Sequence, residues 1–75
     1  MSPAQRSALR AAFAWGRLQF HAGGQWRPPG VTGWHASTVT VRALEKKGLL
    51  ERAHVRPESW ADDRVLTVAG IAAVG

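Results

Sequence analysis

The side chains with most chemistry to offer in this 75-residue chain are three histidines, an aspartate pair and ten basic residues. His21, His35 and His54 stand 14 and 19 positions apart, a spacing unlike that of any familiar zinc site. Ser37 and Ser59 have no glycine-flanked elbow to expose a nucleophile, and Asp62-Asp63 read as a turn pair without a second acidic cluster to hold magnesium. The stretch G-G-Q-W-R-P-P-G does not end in Lys-Ser or Lys-Thr, so it is a turn and not a phosphate cradle. Catalysis, a cofactor and a metal site are therefore not expected. The absence of cysteine removes disulfides and thiolate metal sites as well, which points to the cytoplasm.

The arginines carry more information. Arg6, Arg10, Arg17, Arg27 and Arg42 occur before any acid, whereas from Glu45 onward five bases meet five acids, so the whole net charge of +5 lies in residues 1–44. Guanidinium binds phosphate in two-pronged fashion and is desolvated at small cost, which makes nucleic acid the leading partner class. The competing reading is that the arginines only solubilise the chain.

Residues 37–52, S-T-V-T-V-R-A-L-E-K-K-G-L-L-E-R, must position any such contact. No Gly or Pro interrupts 37–47, Gly48 can take the left-handed conformation past a helix end, and Lys46-Lys47 complement the negative end of the dipole. On a helical wheel Ser37, Thr40, Val41 and Leu44 share one side, and Thr38, Val39, Arg42, Glu45 and Lys46 the other. Val39 on the outer side suits thymine methyls in a DNA major groove, with Arg42 reaching guanine or phosphate. An amphipathic helix with one stray exposed valine is the plainer alternative.

This run, followed after a gap by V-L-T-V-A-G-I-A, resembles the recognition helix, wing and wing exit of winged helix-turn-helix proteins. The likeness is to repressors of the multiple-antibiotic-resistance type and to small phage and bacterial regulators. In that family a leucine and Glu-Lys-Lys/Arg-Gly-Leu close the recognition helix, and Leu-Thr-x-x-Gly follows the second wing strand. Residues 44–49 and 66–70 occupy those places. The resemblance covers about half the chain and implies an α+β fold, a small winged helix with a three-helix core and a β-hairpin wing.

The remaining segments fill in that expectation. Ser2, Pro3 and Gln5 cap a first helix over about residues 3–20, with Leu9, Ala12, Phe13, Gly16 and Phe20 on its core face and Arg6, Arg10 and Arg17 along one flank. Trp15 and Leu18 fall off that face, a hint of a homodimer or protein partner. Gly23-Gly24 and Pro28-Pro29 exclude a helix until Gly30, residues 25–27 can form a strand, and 30–36 leave room for one turn. The second helix is thus short or degenerate, and Trp26 and Trp34 are candidates to support the recognition helix in its place. The wing spans about residues 50–66, with strands at 50–55 and 64–66 and an acidic loop containing Glu58, Trp60, Asp62 and Asp63. Thr67 caps a last helix over 68–74, whose Ile71 and Val74 face helix 1 or a second subunit.

Seventy-five residues make one small domain near the lower size limit for independent folding. The N-terminus lacks a signal peptide's apolar core, and no run is long enough to span a membrane. The expected function is sequence-specific binding of double-stranded DNA, as a small transcriptional regulator or phage DNA-transaction factor. His35, Ser37, Thr38, Val39, Arg42 and Lys46 face the groove, and Arg27, Arg56 and Arg64 hold the backbone. The alternative is a protein-interaction module built on Trp15, Trp26, Trp34 and Trp60.

Overall fold

A capping box starts the first helix. The Ser2 hydroxyl accepts from the Gln5 amide at 3.2 Å and the Gln5 side chain accepts from the Ser2 amide at 3.3 Å. Pro3 sits in the first turn, where its missing N–H costs nothing. The computed structural model, which describes residues 1–53 and 62–74, accordingly opens with α1 (Pro3–Trp15). Arg56, Trp60 and most of the expected wing loop lie outside the described residues.

The first helix is shorter than the predicted 3–20. Gly16 takes φ 90° and donates its N–H to Ala12 at 2.9 Å, a left-handed ending that a side chain would disfavour. Leu18 then exchanges two backbone hydrogen bonds of 2.9 Å with Arg64. The pairing overrides the helical spacing of residues 17–20. Consequently the core face of α1 is Ala8, Leu9 and Ala12, while Phe13 and Phe20 are more than half exposed. Leu18, predicted off the core, is fully buried, and Trp15 is exposed as predicted.

No helix forms between Gly16 and Ser37. In its place β1 (Gln19–His21) and β2 (Gln25–Arg27) make an antiparallel hairpin pairing Gln19 with Arg27 and Phe20 with Trp26. On the other side of β2 lies β3 (Ala36–Ser37), with Gln25 opposite Ser37 and Trp26 opposite Ala36. The short strand at 25–27 is as expected, and the room left at 30–36 for a degenerate second helix holds irregular chain that reaches β3 at Ala36. This sheet delivers the chain to α2 (Thr38–Lys46), whose N-cap is Ser37.

The far end of α2 closes in a Schellman turn. Gly48, at φ 75°, donates to Glu45 and Leu49 donates to Leu44, both at 2.9 Å. The chain continues into β4 (Leu50–Arg52), which pairs with β5 (Arg64–Leu66) in the register Leu50–Leu66 and Arg52–Arg64. Since Arg64 also pairs with Leu18, β5 joins the hairpin of β4 to the first sheet. The last element is α3 (Val68–Val74).

Thr67 fastens that helix. Its hydroxyl donates to the Gly48 carbonyl at 2.6 Å and accepts from the Gly70 amide at 3.0 Å, while its own amide donates to the Leu49 carbonyl at 3.2 Å. A Cβ on Gly70 would lie 2.1 Å from that same Leu49 oxygen, so only glycine lets α3 come this close. The two sequence stretches that carry the winged-helix resemblance therefore clasp each other, and their residue types answer to packing.

The core gathers Ala8, Leu9, Ala12, Leu18, Trp26, Ala36, Val41, Leu44 and Leu50, with Trp34, Leu49, Leu66 and Val74 packed at its edge. Each fully buried leucine contributes about 1.5–3 kcal/mol relative to exposure. Val74 packs against the core's edge as expected, whereas Ile71 stays half exposed. Among the described residues three helices and two antiparallel sheets of three and two strands make a small α+β fold, compatible with a winged-helix-like domain. Among the described residues no helix is long and apolar enough to cross a membrane.

Candidate nucleic-acid interface

Burial divides α2 along its length. Val41 and Leu44 are fully covered by the core, which fixes the opposite side as an outer face. On that face Val39 is 79% exposed, and Arg42 and Lys46 follow it at helical spacing, both exposed. With the half-buried Ala43 and Glu45 they line one shallow surface. Among the described residues neither Arg42 nor Lys46 has an ion-pair partner. An apolar group beside two uncommitted cations can meet a base methyl and reach guanine or phosphate together.

His35 and Ser37 lie at the start of the helix and are exposed, but they border a different hollow, shared with Ala4 and Ser7 of α1. The Ser37 hydroxyl accepts from the Thr40 amide at 3.2 Å and is 3.0 Å from the Thr40 hydroxyl, so its first task is to cap α2.

Thr38 does not share the exposed outer face of α2. Its hydroxyl accepts from the Trp26 indole N–H at 3.1 Å and donates to the Gly24 carbonyl at 3.1 Å, leaving it committed to the hairpin. Trp26 is only 6% exposed and holds Thr38 of α2, while Trp34 is half-buried against the core, so both offer little to a partner. That removes Trp26 from the protein-interaction reading, while Trp15 remains exposed and Trp60 lies outside the described residues.

Arg64 also departs from its expected role. Its Nε donates to Glu45 Oε1 at 2.8 Å, its guanidinium lies 5.0 Å from the Trp26 ring centroid, and Nη1 bonds the Asp62 carbonyl. A side chain held three ways is not a free hand for a phosphate. Arg27, at the end of β2, is half-buried, with a solvent-shielded Nε that has no hydrogen-bond partner among the described residues. Arg56 lies outside the described residues.

The arginines of residues 1–44 do not form one surface. Arg6 and Arg10 border a hollow with Ala73 and Val74 of α3. Arg17 is 3.1 Å from Asp63 Oδ2, although neither atom makes a well-directed hydrogen bond. Burial raises the Asp63 pKa above its ordinary value, against the opposing pull of Arg17 and a hydrogen bond from Gln19. Arg42 alone of the five stands on the α2 stripe, where its cationic neighbour is Lys46. Ala43, which shares this surface, was legible from its place four residues after Val39.

Comparison of the chain with protein-family models, curated proteins and solved structures finds no match.

Proposed function

We propose that this domain binds double-stranded DNA with the outer face of α2 in the major groove, as a small transcriptional regulator or phage DNA-transaction factor. The observation that carries the reading is Val39, 79% exposed on a helix whose other side buries Val41 and Leu44, followed on the same face by Arg42 and Lys46. The apolar group supplies contact with a thymine methyl, and the two cations supply a bidentate base contact and a phosphate contact. The capped N-terminus and the Schellman turn hold the stripe rigid, which lowers the entropy lost on binding.

A gel shift at two salt concentrations tests it. Duplex affinity should fall as salt rises, because neutralised phosphates release counterions. Replacing Arg42→Ala should weaken the preferred duplex by about 1–3 kcal/mol, the usual size of a bidentate arginine–guanine contact. Affinity indifferent to both salt and Arg42 would overturn the reading. Sizing chromatography of the bound species tells a homodimer on two half-sites from a single copy.

A further inference from the structure

Arg64 touches residues from three separate parts of the fold. It belongs to β5, its backbone pairs with Leu18, and its guanidinium reaches Glu45 near the C-terminal end of α2. The same guanidinium lies against Trp26 of β2, 5.0 Å from the ring centroid, with the Phe20 ring edge-on at 5.1 Å. Through the indole N–H, Trp26 holds Thr38, the first residue of α2. One planar cation is thus in contact with one end of the helix and, at one remove, with the other.

A nine-residue helix has little stability or direction of its own, so its tilt is imposed by what it packs on. The side chain of Arg64 is 16% exposed and that of Glu45 is 32% exposed, so their ion pair is better shielded than a surface pair. The fork of donors and the flat face are both in use, a combination that lysine cannot reproduce.

We propose that Arg64 is a positioning residue that sets the tilt of α2, and thereby selectivity among DNA sequences, without itself contacting phosphate. The inference rests on the DNA-binding reading above. A phosphate contact and a positioning role leave different marks. Losing a phosphate contact weakens all duplexes alike and lowers the slope of log affinity against log salt by about 0.9. Losing alignment leaves that slope alone and erodes the difference between a preferred and a random duplex.

The probes are a duplex enriched by the wild-type protein from a random pool and a random-sequence duplex of the same length. For Arg64→Ala the expected result is a loss of at least about tenfold in the ratio of the two affinities, with the salt slope unchanged; tenfold corresponds to 1.4 kcal/mol. Arg64→Lys, which keeps the charge, should lose part of the ratio, and Glu45→Arg combined with Arg64→Glu should recover part of it. If Arg64→Ala does not fold, Glu45→Gln carries the test, because it releases Arg64 toward any nearby phosphate. Positioning then requires a lower ratio, whereas a phosphate role requires an unchanged ratio and tighter binding to both duplexes. A slope reduced by about 0.9 at constant ratio overturns the proposal and leaves DNA binding intact. A wild-type protein with no salt-dependent affinity for either duplex overturns the DNA reading itself, and this inference with it.

Discussion

The two ends of α2 are held by different chemistry. At the C-terminal end the Schellman bonds join residues three and five apart, and the clasp between residues 48–49 and 67–70, in which the Thr67 hydroxyl and amide donate to backbone carbonyls, is closed by the missing side chain of Gly70. At the N-terminal end the Ser37 cap is local, but the anchor is a side-chain relay from Thr38 to Trp26 and Gly24, across 12 and 14 positions of sequence. Bonds made to backbone carbonyls tolerate almost any neighbouring side chain provided that Thr67 and the glycines stay. A side-chain relay fails with one atom. The C-terminal end is therefore the mechanical foundation of the helix, and the N-terminal end is where its setting can be altered.

Gly70→Ala attacks the foundation. The new methyl would sit 2.1 Å from the Leu49 carbonyl oxygen, so α3 must move away and expose the Leu66 and Val74 contacts. Overpacking of this kind costs about 1–3 kcal/mol. In a domain of this size each kcal/mol lowers the melting temperature by about 4–8 °C, readable by circular dichroism. An unchanged melting temperature would show that α3 does not close on β4 as described.

Thr38→Val is the smaller, more local counterpart. It removes the acceptor of the indole N–H and the donor to Gly24, a loss of about 1 kcal/mol, while conserving volume. Hydrogen exchange should quicken at the first turn of α2 and stay slow at Gly48 and Leu49. Uniform acceleration at both ends would erase the distinction between them.

Asp63→Asn should have the smallest effect and one that depends on pH. Burial raises the Asp63 pKa, so the folded state takes up a proton more readily than the unfolded chain, and the neutral form favours folding. That contribution is fully present below the unfolded value of about 3.9 and is lost as pH rises through the raised folded value. The asparagine variant should accordingly gain most on the wild type at neutral pH and lose this advantage as the solution is acidified. Denaturant midpoints that differ by a constant amount at every pH would mean that Asp63 is not titrating in its buried place.

Legibility from sequence followed the same division between local and distant causes. The capping box, the Gly48 stop, the strands at 25–27 and 64–66 and the final helix are written in neighbouring residues, and they form within a residue or two of their expected places, whereas the strand expected over 50–55 ends at Arg52, with 54–55 outside the described residues. The end of α1 is not legible because Phe20 continues the apolar helical spacing of Leu9, Ala12, Phe13 and Gly16, and nothing nearby announces that Leu18 pairs with Arg64. The candidate site divides likewise. Val39, Arg42 and Lys46 fall together because a helical wheel suffices to place them. Thr38 and Arg64 were assigned outward because their partners, Trp26 and Glu45, lie far away in the chain.

The position of β5 also has a consequence in time. It pairs with β4 on one side and with Leu18 on the other, and the second pairing joins residues near opposite ends of the chain. The entropy of closing so long a loop is lost before the contact returns anything, whereas the hairpin of β1 and β2 closes over three residues. Folding is then expected to run from the helices and the first hairpin outward, with β5 arriving late. Until it docks, Leu18 keeps an unsatisfied backbone edge, and the nascent chain presents that edge to its neighbours as a template for pairing.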